Sequence, residues 1–358
     1  MSDSKQKDLF MKKNTIGLGV IGFGSMGRTI ETLRGVPDLR YELRAVCAEH
    51  SDKLQQRAQA AGVPFWTTDY RELVARKEVD VVVVYSPDFL HAQHSLAAMA
   101  AGKHVVCGKP NAVTLDEAKE LVKQVRQSGV KYLAAYTLRQ DQQYLAAKKL
   151  LDDGDLGKII AMESHYIHDM RAVYENTPWR LQVPQDMMFG GCMHSVDILR
   201  AMGGDVDWVH ANGNLGHLTP TYPILDNFFL NLTFKSGVIG RVSGLYGVVH
   251  APVPMQQFAV FGSKGSLVAE FGPNQMQVVL DKLVGHPPMV TTFGLEPESK
   301  RFGYGSVIVR FMRHFQDCLD NDRQPSPDIV ESAKSIAVGA AAWESIKTSQ
   351  AVKVFNEF

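Results

Sequence analysis

From residue 15 to 136, short apolar runs alternate with amphipathic segments. Thr15 to Ile21, Leu43 to Ala48, Val81 to Tyr85, His104 to Cys107 and Lys131 to Tyr136 predict strands. Between them, Met26 to Leu33, Lys53 to Ala61, Phe89 to Ala101 and Leu115 to Gln127 carry apolar residues at helical spacing. This alternation predicts βαβ units and a parallel sheet. The strands are apolar nearly throughout, as expected when helices cover both faces of a sheet.

After Tyr136 the texture changes. A helix is predicted from about Gln140 to Leu151, then an apolar run at Lys158 to Ile167, then a helix over roughly Gly191 to Met202. Strand-like runs follow at Ile224 to Phe234, Val238 to Tyr246, Gln256 to Phe261, Ser266 to Phe271 and Gln275 to Leu280, separated by Gly, Lys and Asn turn signals. They predict a mostly antiparallel sheet backed by helices. Helices over about Val307 to Leu319 and Ile329 to Thr348 close the chain. The pattern divides the chain into a disordered polar extension (1–13), a first α/β domain with a parallel sheet (14–136) and a second α/β domain (137–358).

Composition narrows the partners. Lys plus Arg and Asp plus Glu each number 38, so net charge argues for neither nucleic acid nor a membrane surface. No run reaches the ~18 apolar residues of a membrane helix. A small neutral or singly charged ligand is the better expectation. Cys47, Cys107, Cys192 and Cys318 are widely spaced with no C-x-x-C, the usage of a reducing, cytoplasmic setting with free thiols. No metal-binding cluster is expected.

Candidate chemistry gathers at the strand ends of the first domain. G-F-G-S-M-G, residues 22 to 27, follows the first strand and opens the first helix. There Gly22, Gly24 and Gly27, with the backbone of Phe23, Ser25 and Met26, would bring N–H groups to a pyrophosphate. About twenty residues on, Ala48 stands where an acid would hold the ribose, Glu49 and His50 follow, and no arginine nearby marks a 2′-phosphate. This favours NAD over NADP. Ser86, Pro87, Asp88 and His91 leave the next strand as Y-S-P-D-F-L-H, at the sheet edge where open α/β folds bind ligands. Lys109 and Pro110 end V-V-C-G-K-P on the same edge. A lysine beside an oxidised nicotinamide feels a second positive charge and partial desolvation, which lower its pKa and let it exchange a proton with a substrate hydroxyl.

Taken with A-G-K-H-V-V-C-G-K-P and T-L-D-E-A-K-E-L-V, these blocks resemble the glucose-fructose oxidoreductase, inositol dehydrogenase and MocA family. Y-T-L-R (136 to 139), D-G-D-L-G-K-I, P-W-R, H-S-V-D-I-L-R and F-G-S-K-G-S-L continue the likeness in order to about residue 355. The resemblance implies a Rossmann domain and an α/β domain with a large open sheet that commonly mediates homo-oligomers, dimers or tetramers. It implies hydride transfer at a carbinol of a sugar, sugar acid or polyol, with Lys109 and His194 handling the proton and Arg139 beside the substrate. Within H-Y-I-H-D-M-R-A-V-Y-E-N-T-P-W-R, Tyr166 and Trp179 could cover a sugar face, and His168, Arg171 and Arg180 could donate to it. Forked arginine donors suit anions, so an anionic sugar is one option.

The chain departs from the family at three places. Gly108 replaces the acid of a Glu-Lys-Pro block, Gly190 an Asp four residues before His194, and Ala48 the acid after the second strand. Asp197, three residues after His194, could orient it from the same helix face. These losses keep two further readings open. One is a glycoside hydrolase or lyase that recycles its NAD through transient oxidation and elimination. The other is a non-catalytic dinucleotide-binding sensor.

Overall fold

The computed structural model describes residues 15–183, 185–271, 273–283, 285–292 and 305–358. The extension expected over residues 1–13 lies outside them. The described chain divides into two units, 15–137 with 305–333, and 138–292 with 334–358. Each is taken by itself below.

The first unit is built on six strands: β1 (Ile16–Ile21), β2 (Tyr41–Cys47), β3 (Phe65–Thr67), β4 (Val81–Val84), β5 (His104–Gly108) and β6 (Tyr132–Ala135). They pair in parallel in the order β3-β2-β1-β4-β5-β6. The order reverses between β1 and β4, and that switch point opens the ligand crevice of a doubly wound sheet. β1 and β4 are buried at every position, which is why both are apolar without alternation. Met26 to Leu33, predicted helical, forms a 3₁₀ helix over Gly27–Leu33. Helix Leu115–Ser128 starts at a capping box, Thr114 with Glu117, and stops at Gly129 in the left-handed region.

The terminal helix Gly305–Asp320, assigned from sequence to the second domain, packs in the first unit instead. Its Phe311, Met312 and Phe315 join Leu18, Val20, Leu54 and Val83 in one buried cluster. Polar ties fix the docking: the Tyr41 hydroxyl donates to Met312 O at 2.9 Å, and Gln316 accepts from Arg40 N at 2.8 Å while donating to Asp38 O at 2.9 Å. Sequence periodicity finds such a helix but cannot say which core receives its apolar stripe.

The second unit carries β7 (Ile159–Ile167), β8 (Val206–Asn214), β9 (Asn227–Phe234), β10 (Ile239–Leu245), β11 (Gln256–Gly262), β12 (Gly265–Glu270), β13 (Gln275–Leu280), β14 (Met289–Thr292) and β15 (Val352–Lys353). They form one nine-stranded sheet, ordered β14-β13-β12-β11-β7-β10-β9-β8-β15. Every pair is antiparallel except β7 with β10. Helix Met193–Gly203 lies on one face, where Ser164 Oγ donates to Ser195 Oγ at 2.9 Å. Gly244 permits the close approach, because a β-carbon there would stand 2.1 Å from Cys192 Sγ.

All four cysteines are free and buried. Among the described residues, no helix is long and apolar enough to cross a membrane.

Candidate functional site

Gly22 leaves β1 with φ at 91°, so near the loop after β4 that a β-carbon would lie 2.3 Å from Ser86 N. A β-carbon on Gly27 would lie 2.2 Å from Gly22 O, so this glycine lets the 3₁₀ helix close onto the turn. At Gly24 nothing lies within 4 Å, leaving the loop open outward. Cys47 O accepts the Gly22 and Phe23 amides at 2.8 and 3.2 Å, and Gly22 O accepts that of Gly24 at 2.8 Å. The amides of Ser25, Met26 and Gly27 follow where the loop turns into the 3₁₀ helix. An open glycine followed by the first N–H groups of a helix, at the switch point of a parallel sheet, suits a dinucleotide pyrophosphate.

Phe23, expected at the cofactor, is instead fully buried in the core cluster. Its amide is spent on Cys47 O, so it anchors the loop. Ser25 and Met26 are exposed, as are Glu49 and His50 beyond β2. Arg57, which the sequence pattern did not single out, donates to Phe23 O at 3.3 Å from helix Ser51–Ala60. Only its place about two turns into the helix that follows β2 could have pointed to it.

The loops after β4 and β5 are tied together. His91 is buried, with Nε2 at 2.7 Å from Ser86 O and Nδ1 at 2.6 Å from Pro110 O. Expected as a cofactor contact, it turns both ring nitrogens to backbone carbonyls. Ser86 Oγ meets His94 Nδ1 at 2.8 Å. Lys109 stands half-buried at the end of β5, and the Lys109–Pro110 bond is cis. Asn111, fully buried, donates to Cys107 O and Gly108 O at 3.0 and 3.1 Å. At Gly108 a β-carbon would stand 2.9 Å from Cδ1 of Tyr85. The Tyr85 ring therefore holds the space that an acid at 108 would need.

In the second unit, a π-helical turn over Met188–Cys192 runs into the helix bearing His194. The half-buried His194 ring lies 5.7 Å from that of Tyr166, which stacks on His168 at 5.9 Å and meets Tyr246 edge-on at 5.5 Å. The structure thus brings together three expected substrate residues, Tyr166, His168 and His194, on the end of β7 and the start of one helix. Burial lowers the His168 pKa, Asp169 opposes this and His250 adds to it, so the ring is neutral at pH 7.

The arginines sit differently. Arg139, expected at the substrate, is buried and grips Asp197 with two bonds of 2.7 and 2.6 Å. Asp197, considered as a support for His194, thereby commits both carboxylate oxygens to Arg139. Arg171 is bidentate to Asp169 at 3.0 and 2.6 Å. Arg180 donates to Thr177 Oγ1 at 3.1 Å and to Gln185 Oε1, with its guanidinium 4.4 Å above the Trp179 ring. The same Gln185 lies over Gly190, where a β-carbon would meet its amide group at 3.1 Å. Both unusual glycines thus have packing partners, Tyr85 for Gly108 and Gln185 for Gly190. Among the described residues, no group of three or more His, Cys, Asp or Glu could hold a metal.

Comparison with known proteins accords with this geometry. A model described as the GFO/IDH/MocA oxidoreductase family, NAD-binding Rossmann fold, matches residues 16–136, and that family's C-terminal domain matches residues 144–268. A 1,5-anhydro-D-fructose reductase of Ensifer adhaerens is 26% identical over 344 residues, 94% of this chain and 98% of its own length. A myo-inositol 2-dehydrogenase of Thermotoga maritima is 24% identical, also over 94% of this chain and 98% of its own. A levoglucosan dehydrogenase solved with NADH and levoglucosan superposes with a TM-score of 0.86 at 21% identity, covering 95% of this chain and 99% of that one. That last likeness is one of fold.

Proposed function

The chain belongs to the GFO/IDH/MocA family of NAD-binding oxidoreductases, and from that premise we propose that it oxidises one carbinol of an uncharged sugar, anhydrosugar or cyclic polyol. The carrying observation is the glycine loop at the switch point, which leads into the 3₁₀ helix on the same sheet edge as the strand end that bears Lys109. NAD, when bound, supplies the hydride acceptor. The loop amides of Ser25, Met26 and Gly27 hold its pyrophosphate, and Glu49 at the end of β2 receives the ribose hydroxyls, which favours NAD over NADP. Tyr166 and His168 present aromatic surface to the sugar ring. His194 takes the hydroxyl proton at a ring nitrogen, assisted by Lys109, whose ammonium stabilises the developing alkoxide.

An uncharged substrate follows from the arginines. Arg139 and Arg171 each hold a carboxylate of the chain, and Arg180 is bonded to Thr177 and Gln185. The NAD-recycling glycosidase rested on Gly108 and Gly190, and both now have packing explanations. A sensor is likewise not favoured.

The open face of the nine-stranded sheet supports a homo-oligomer. Trp208, Phe229 and Ile239 are 42%, 50% and 58% exposed there, among polar residues such as Arg241 and Glu163. Mass measurement in solution should return a dimer or tetramer, and a monomer at micromolar concentration would refute that assignment.

The activity is tested by screening inositols, anhydrosugars, aldoses and sugar acids for stoichiometric NADH formation. Lys109→Ala and His194→Ala should each cost about 10²–10⁴ in kcat while NAD still binds. Binding of NAD with no substrate reducing it would overturn the proposal.

A further inference from the structure

A carbonyl oxygen can only accept a hydrogen bond, so a histidine with a carbonyl at each ring nitrogen must carry a proton on both. His91 meets that condition, with Ser86 O at 2.7 Å from Nε2 and Pro110 O at 2.6 Å from Nδ1. Both distances lie at the short end for N–H···O bonds, as charge-assisted ones do. The two carbonyls belong to different loops, one leaving β4 and the other β5. The second loop begins at Lys109.

We propose that His91 is a buried imidazolium staple that locks the loops after β4 and β5 together and so sets the position of Lys109. It is a positioning residue, since its nitrogens face the backbone and leave none for a ligand. Asn111 secures the same strand end from within the second loop, through Cys107 O and Gly108 O. The Ser86 hydroxyl bonds to His94 one turn along the His91 helix, so the first loop also has two anchors.

The groups facing His91 are Cys107 on β5, Asp88 in its own loop and His94 on its own helix, with the Tyr85 ring beside Gly108 close by. Burial works against the charged ring. Cys107, the Pro110 carbonyl and Asp88 outweigh it and hold the His91 pKa above its ordinary value. His94 is pushed the other way, by burial first and then by the His91 charge, so one member of the pair is charged and the other neutral.

The effect on turnover rests on the proposed dehydrogenase, whereas the staple itself can be read without substrate. In the full-length protein, ¹⁵N chemical shifts of the His91 ring at pH 8 should show both nitrogens protonated. A single neutral tautomer of His91 at pH 8 would overturn the proposal. In His91→Gln, amide hydrogen exchange should quicken together in residues 86–88 and 109–112, by tenfold or more, with the glycine-loop amides little changed. Exchange that quickens uniformly over the first unit, or in one loop alone, would also overturn it. With any substrate from the screen, His91→Gln should lower kcat about tenfold or more and leave NAD affinity within about threefold. An unchanged kcat would mean that Lys109 does not depend on the staple. If no substrate is found, the nitrogen shifts and the exchange still decide, and that failure counts against the activity alone.

Discussion

Tyr85 and Gly108 share one volume. A β-carbon on Gly108 would stand 2.9 Å from Cδ1 and 3.1 Å from Cε1 of the Tyr85 ring. The aromatic residue at the end of β4 is therefore compatible with glycine at the end of β5 and with nothing larger unless the ring moves. Gly108→Ala should cost about 1–3 kcal/mol in urea unfolding, and Tyr85→Ala in the same chain should recover most of it. A coupling energy below about 0.5 kcal/mol between the two sites would show that they do not compete for space.

Gly24 separates fold from cofactor. With nothing within 4 Å of its β-carbon position, Gly24→Ala should shift stability by no more than about 0.5 kcal/mol. The methyl would point where the pyrophosphate must pass, so NAD affinity should fall at least about tenfold, or 1.4 kcal/mol. Equal NAD affinity in calorimetric titration would place the phosphates elsewhere.

The Arg139–Asp197 pair is structural and costly to break. Both partners are buried, at 7% and 1% side-chain exposure. Asp197→Ala leaves a guanidinium without its carboxylate and should destabilise by about 3–5 kcal/mol, whereas Arg139→Met with Asp197→Leu should cost much less. Urea midpoints of the singles and the double decide it. If the double loses as much as the singles combined, the two side chains act independently.

Acid should loosen the first unit. His94 and His104 are both pushed down to about 4. Burial is the main cause for each, joined by the charges of His91 and Arg71 at His94 and by Lys131 at His104, where Asp80 and Asp322 oppose it. The backbone N–H of Lys131 donates to His104 Nδ1 at 2.9 Å, which needs that nitrogen unprotonated. The unfolded chain binds these protons near pH 6.5, while the folded chain refuses them until about 4. Stability should therefore fall as pH drops through that window, by up to about 1.4 kcal/mol per pH unit for each histidine. His104→Asn keeps an acceptor without a titrating ring, so its urea midpoint should fall less between pH 7 and pH 5. An unchanged slope would remove His104 from the account.

Local features carried much of this protein into its sequence. The buried parallel strands show as unbroken apolar runs because helices cover both faces. The glycine loop shows as spacing because each glycine answers a contact within a few residues or at the next strand end. The capping box at Thr114 and the stop at Gly129 are likewise local. β8 escaped detection for a local reason too. A register shift between Val206 and Trp208 leaves Val206, Val209 and Ala211 as its buried positions, which breaks the period of two, and its A-N-G-N end reads as a turn.

What only the tertiary structure decided are the partners of polar and glycine positions. Arg139 and Asp197 are 58 residues apart, and nothing in either segment says that they neutralise each other in the interior. His91 and Pro110 meet across 19 residues, and nothing near His91 in the sequence says that its ring faces two backbone carbonyls. Gly108 looked like a lost acid until Tyr85 filled its place. Secondary structure follows from the period of burial along the chain, which is written locally. The fate of a charge, a donor or a missing side chain depends on which distant group folding brings within about 3 Å, and no stretch of sequence contains that distance.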